Sequence, residues 1–197
     1  MPRTEAENHS SRAQGRRSAR GRSGSAALDT ALKRVRLFLC DVDGVLTDGS
    51  VLIGGEQEIK RFNIRDGLGL VRLRGAGLKA GWVSSRPSAA TTRRARELKI
   101  DFLRQEKGSK VSVVERLLAQ TGLRWDEVCY MGDDIVDLGV LKRAGVAVAV
   151  ANGVAEARAA ADYVTRADGG HGAVREVIEM ILKAQNKWRR IVTECTV

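Results

Sequence analysis

Asp41 and Asp43, one residue apart and followed by Gly44, close the apolar run Leu37-Phe38-Leu39-Cys40. A buried parallel strand reads as such a run, and open α/β sheets bind ligands beyond the carboxyl ends of their strands. Two carboxylates there repel each other, and a divalent cation offsets that repulsion most directly. Three further clusters follow. Ser84-Ser85-Arg86 closes the run Leu78-Lys79-Ala80-Gly81-Trp82-Val83, Lys110 opens a helical pattern, and Gly132-Asp133-Asp134-Ile135-Val136-Asp137 follows the apolar stretch 128–131. Singly, each has an ordinary explanation. Asp-Gly is a turn pair, Ser84 or Ser85 can cap a helix, a lysine is usually solvated, and Asp134 can cap a helix while Asp133 sits in a turn. Four such clusters at four successive strand ends suit one site.

The chemistry they suit is phosphoryl transfer. An aspartate carboxylate can attack phosphorus and form an aspartyl-phosphate. Magnesium takes hard oxygen ligands, here the carboxylates of Asp41 and Asp133 and the backbone carbonyl of Asp43. Ser84 can hydrogen-bond a phosphoryl oxygen and Lys110 can neutralise its charge. With its carbonyl on the metal, Asp43 has a side chain free to protonate the leaving oxygen and then to deprotonate water.

The elements that must position these groups alternate. Strand-like runs recur at 36–40, 79–84, 100–103, 128–131, 146–150 and 162–165. Helical patterns lie between them: 66–75, a helix from Pro87 to about Leu98, one through Val111, Val114, Leu117 and Leu118 stopped by Gly122, one through Ile135, Leu138 and Leu141, and a last one over 172–189. This predicts a doubly wound, Rossmann-like α/β parallel sheet. Residues 45–65 break the alternation and read as a β-hairpin turning at Gly54-Gly55, a flap beside the site. No insertion is large enough for a cap domain.

The formal net charge is +10. Residues 1–26 carry six arginines against Glu5 and Glu7 and read as a disordered basic tail. Without an RNA-binding aromatic motif or zinc-finger spacing, nucleic acid is not the expected partner, whereas an anionic substrate suits a basic field. There is no membrane-spanning apolar stretch and no secretory signal is expected. Cys40, Cys129 and Cys195 are odd in number and fit no metal or redox spacing, which predicts a reducing cytoplasm.

In its ordered motifs, Asp41-Val42-Asp43, Ser84, Lys110 and Gly132 to Asp137, the chain resembles the haloacid dehalogenase superfamily of phosphatases. Within it, Asp43-Gly44-Val45-Leu46-Thr47-Asp48-Gly49, Phe62-Asn63-Ile64-Arg65-Asp66-Gly67, Asp162-Tyr163-Val164-Thr165-Arg166 and Gly169-Gly170-His171-Gly172-Ala173-Val174-Arg175-Glu176 are similar to the capless family that hydrolyses 3-deoxy-D-manno-octulosonate 8-phosphate. The resemblance implies one phosphatase domain over 27–197, Mg2+ as cofactor, a homotetramer, a role in lipopolysaccharide synthesis, and Asp134 and Asp137 steadying the metal ligands. It also implies that Arg65 and Arg86 meet the sugar acid, since a guanidinium binds carboxylates bidentately.

Two departures from the family stand out. Ser84-Ser85-Arg86-Pro87 replaces Thr-Gly-Arg, and the C-terminal end lacks a glycine-rich tail. Two rivals stay open. Nonulosonate 9-phosphate phosphatases tend to carry glutamate where Arg86 stands, and non-catalytic oligomerisation modules related to the cytidylyltransferase-fused domains tend to have degraded motifs.

Overall fold

The apolar run that carries the aspartate pair is the central strand. In the computed structural model, which describes residues 26–54 and 57–196, it forms β1 (Leu37–Cys40), wholly buried. It pairs in parallel with β4 (Lys79–Ser84) on one side and β6 (Val128–Gly132) on the other. The sheet continues to β5 (Phe102–Gln105), β7 (Val146–Ala149) and β8 (Tyr163–Val164), in the order β5-β4-β1-β6-β7-β8, all parallel. Side chains alternate across a strand, so β1 sends Phe38 and Cys40 to one face and Leu37 and Leu39 to the other.

Each face is covered by helices. Beneath the first lie α1 (26–34), α2 (Ile64–Gly75), α3 (Ala89–Glu97) and α7 (Ala173–Ala184), which contribute Leu32, Leu70, Leu73, Ala95, Val174 and Ile178 to one core. Beneath the second lie α4 (Lys110–Thr121), α5 (Leu138–Leu141) and α6 (Ala155–Ala160), with Val114, Leu117, Leu141 and Ala157. The predicted doubly wound fold is the one observed. The hairpin is a separate two-stranded sheet, β2 (Leu52–Gly54) and β3 (Gln57–Ile59), with Leu52 opposite Ile59. The tail expected over 1–26 lies outside the described residues except Ala26, where α1 begins.

Several boundaries differ from the sequence pattern for local reasons. Pro87 does not open α3; Ser88 does, its Oγ accepting from the Thr91 amide at 3.3 Å. β5 starts at Phe102 rather than 100, because the Asp101 carboxylate accepts from the Ala80 amide and from Arg74 first. The helix expected through Ile135 is a 3-10 turn, Ile135–Asp137, followed by the short α5, and Ile135 is exposed. The last helix breaks at Asn186, whose φ is +58°, and a second one, α8 (Trp188–Glu194), begins there. The Lys187 amide reaches back to the Leu182 carbonyl at 2.8 Å, the left-handed stop that asparagine tolerates.

Candidate active site

Asp41 follows β1 directly, and its amide still donates to the Met131 carbonyl at 2.9 Å, so the sheet fixes its backbone. Its carboxylate accepts from the Val42 amide at 2.6 Å and from Lys110 Nζ at 2.5 Å. Gly44 has φ +88°, and a Cβ there would strike the Asp133 carboxylate. Only glycine lets the two acidic loops close to this separation. The glycine-rich loop 167–172 backs the same turn, the Gly170 amide donating to Val45 at 2.9 Å.

Lys110 opens α4 just after its cap, Ser109. Its side chain is buried and bridges Asp41 to Asp137 Oδ1, the latter at 2.7 Å. Asp137 is fully enclosed. Oδ1 also accepts from the Tyr130 hydroxyl at 2.6 Å, and Oδ2 accepts from the amides of Asp133 at 3.1 Å and Asp134 at 3.3 Å. Four donors fill the acceptor capacity of one carboxylate. Asp137 is therefore an organiser of the loop, with no lone pair to spare. A Cβ on Gly132 would lie 2.5 Å from that of Asp137, so glycine admits it.

Asp41, Asp133 and Asp137 each bring one carboxylate oxygen within 4.8 Å of the others. Two ionised carboxylates that far apart repel by about 3 kcal/mol at an effective dielectric of about 20. One lysine among three carboxylates leaves that repulsion partly unmet. Burial pushes Asp41 up to about 6, against the pull of Lys110. Burial, then the charges of Asp41 and Asp137, push Asp133 up to about 7. Burial opposes the charge on Lys110, but Asp41 and Asp137 outweigh it and hold its pKa above the ordinary lysine value. Asp133 Oδ1 is buried and has no hydrogen-bond partner among the described residues. A buried, unpartnered anionic oxygen beside a second carboxylate is the donor set a hard cation takes.

These groups line one pocket of about 230 Å3, with Asp41, Asp43, Ser84, Arg86, Lys110 and Asp133 in its wall. Ser84 Oγ accepts from the Arg86 amide at 3.0 Å and so shapes the loop that carries Arg86. The Asp43 carboxylate is not among the three that converge; it turns to the hairpin and meets Lys60 Nζ at 2.5 Å. Asp134 is exposed and accepts from the Ile135 amide at 2.6 Å, capping the 3-10 turn at the end of the acidic loop. Arg65 is not brought to this pocket. It lies in the first turn of α2 and lines another groove with Arg166, His171 and Arg175. A larger cavity, about 620 Å3, lies between the hairpin and α3, with Glu58 and Glu97 in its wall.

Sequence reasoning missed Lys60, Glu58 and Tyr130. Residues 58 and 60 share one face of an extended strand, the period-two signal that could have paired them. Tyr130 is hidden in an apolar strand pattern.

A profile of the haloacid dehalogenase-like hydrolases matches residues 82–178. The chain is 40% identical over 154 residues to 3-deoxy-D-manno-octulosonate 8-phosphate phosphatase KdsC of Yersinia pestis, covering 78% of this chain and 82% of that protein. The chain belongs to the haloacid dehalogenase-like hydrolases. Solved members superpose closely. A probable YrbI family phosphatase from Pseudomonas syringae gives a TM-score of 0.85 at 39% identity, over 87% of this chain and 98% of its own. A 3-deoxy-D-manno-octulosonate 8-phosphate phosphatase from Moraxella catarrhalis, solved with a magnesium ion, a phosphate ion and KDO, gives 0.83 at 39% identity, over 85% and 97%. The hydrolase profile holds Ser84, Lys110 and Asp133, while Asp41 and Asp43 lie upstream of its span.

Proposed function

We propose that this chain is a magnesium-dependent phosphomonoesterase that hydrolyses 3-deoxy-D-manno-octulosonate 8-phosphate to the free sugar acid and phosphate. The observation that carries the reading is the Lys110 bridge between Asp41 and Asp137, with the unpartnered Asp133 oxygen beside it. The relatives supply the substrate: KdsC of Yersinia pestis is named for it, and the Moraxella structure holds KDO, phosphate and magnesium.

The donor set fits magnesium. Asp41 and Asp133 would hold it with the Asp43 carbonyl, and Asp137 and Asp134 would steady that loop. Bound there, the ion supplies charge that shields Asp41 from an incoming phosphate dianion. The rest belongs to the chain. Lys110 and the Ser84 hydroxyl hold the phosphoryl oxygens. The Asp41 carboxylate forms a bond to phosphorus as the ester P–O bond breaks, and the departing alkoxide takes its proton from Asp43. Asp43 then removes a proton from water, which attacks the aspartyl-phosphate and releases phosphate and free Asp41. Arg86 faces the sugar acid carboxylate from the pocket rim.

A homotetramer is part of this reading. The hairpin leaves Val51, Leu52, Ile53 and Ile59 exposed, which supports burial against a second copy. Arg65 enters the substrate site only through such a neighbour. Among the described residues no helix is long and apolar enough to cross a membrane, and the cysteines are free, which supports a cytoplasmic enzyme. The intact motifs set the non-catalytic module aside.

The test is phosphate release from 3-deoxy-D-manno-octulosonate 8-phosphate and from a nonulosonate 9-phosphate, each with magnesium and with excess chelator. The reading expects magnesium-dependent turnover favouring the octulosonate ester. Preference for the nine-carbon ester, or full activity in chelator, contradicts it.

A further inference from the structure

The hairpin reaches the site through one buried cation. Lys60, just past β3, has a side chain only 1% exposed, and its Nζ lies 2.5 Å from Asp43 Oδ1 and 3.3 Å from Glu58 Oε1. The other oxygen of Glu58 lies 3.2 Å from Arg86 Nη2. Four charged residues thus run in series, Asp43–Lys60–Glu58–Arg86, from the reacting centre to the pocket rim. Lys60 lines the large groove between the hairpin and α3, while Asp43 and Arg86 line the smaller pocket.

Asp43 sits two residues from Asp41, beside a cluster that attracts a cation. An unrestrained carboxylate there is free to swing toward that cluster. Charge-assisted bonds of this length are directional and strong enough to hold one rotamer. From these contacts we infer that Lys60 is a positioning residue for Asp43, holding its carboxylate on the hairpin side where the leaving oxygen departs. Glu58 lies within ion-pair distance of both Lys60 and Arg86, so the flap couples the acid–base group to the carboxylate-recognising group. The inference rests on the acid–base reading of Asp43 given above.

The experiment compares four enzymes: wild type, Lys60→Met, Asp43→Asn and the double variant. Each is assayed on 3-deoxy-D-manno-octulosonate 8-phosphate, an alkyl ester with a poor leaving group, and on 4-nitrophenyl phosphate, whose leaving group needs no proton. General acid–base catalysis is typically worth about 10²–10⁴-fold, and a misplaced group forfeits part of that. Lys60→Met should lower kcat on both esters, because both need Asp43 to deprotonate water, and on the alkyl ester by about tenfold or more, because its departure also needs the Asp43 proton. In the Asp43→Asn background the same substitution should change neither rate. Lys60→Arg, which keeps the charge, should recover most of the alkyl-ester rate. Equal losses from Lys60→Met in both backgrounds would show a purely structural lysine and overturn the inference. Asp43→Asn matching the wild type on both esters would overturn the acid–base reading itself, and the inference with it.

Discussion

Lys110 Nζ lies 2.5 Å from Asp41 Oδ2, although 69 residues separate the two in the chain. The pair joins the end of the central strand to the first turn of α4, and Asp137 closes the triangle from the loop after β6. Three elements that share no local sequence therefore meet at one ammonium. The pair holds the Asp41 carboxylate in one orientation; burial removes the solvent screening that weakens surface ion pairs but also costs both charges their hydration, so the pair acts through geometry more than through stability.

Metal binding should depend on pH in a defined direction. Asp41 titrates at about 6 and Asp133 at about 7, both above the ordinary carboxylate value of 3.8. A raised carboxyl pKa means the folded protein holds protons that the unfolded chain has released. The stability these two groups contribute is full below about pH 4 and is lost as pH rises through 6 to 7. Metal-free protein should lose melting temperature across that window. Magnesium needs both groups ionised, so its stabilisation should be small at pH 5 and reach its full size near pH 8. Melting curves with magnesium and with chelator across this range check it. A magnesium-induced shift of equal size at pH 5 and pH 8 would count against these residues as ligands.

Arg86 should govern selectivity more than chemistry. A lost charge-assisted contact is worth about 1.5–3 kcal/mol, or about ten- to hundredfold. Arg86→Ala should lower kcat/KM for the sugar acid phosphate by that factor and leave 4-nitrophenyl phosphate nearly untouched. Equal losses on both esters would mean that Arg86 serves the phosphate or the loop rather than the carboxylate.

Asp66 should matter for stability. It is buried in the first turn of α2 and accepts from the amides of Gly172 at 3.3 Å and Arg175 at 2.7 Å, capping α7 from another helix. Removing it leaves two helix-end donors without partners. Asp66→Ala should cost about 1–3 kcal/mol in urea unfolding, since an unmet buried donor carries its full desolvation penalty. A loss within about 0.5 kcal/mol would show that water replaces the cap.

The Asp66 cap shows where reading the sequence stops. Strands β1, β4 and β6 were legible because buried parallel strands are uninterrupted apolar runs, and the site residues because each follows such a run. α4 was legible through its Gly122 stop, which adopts φ +68°. Contacts made across the chain left no local pattern. Nothing near Asp66 in sequence points to an amide 109 residues away. Asp137 looked like a supporting member of an acidic loop, yet its burial and four donors make it the hub of that loop. Lys60 lies in the segment read only as a hairpin, and its inward turn exists only in the folded flap. The break at Asn186 escaped because the apolar spacing runs on past it; Trp188 then packs under Arg175, 5.0 Å from its ring centre.

The central claim is that Asp41 forms the bond to phosphorus. Asp41→Asn keeps the size of the side chain but removes its nucleophilicity and turns one of its two acceptors, toward Lys110 or the Val42 amide, into a donor. The measurement is phosphate release from 3-deoxy-D-manno-octulosonate 8-phosphate by this variant with saturating magnesium, beside a circular dichroism spectrum that verifies the fold. The account predicts a native spectrum and turnover lower by several orders of magnitude, about 10⁴-fold or more. Turnover within tenfold of the wild type by the folded variant would contradict it.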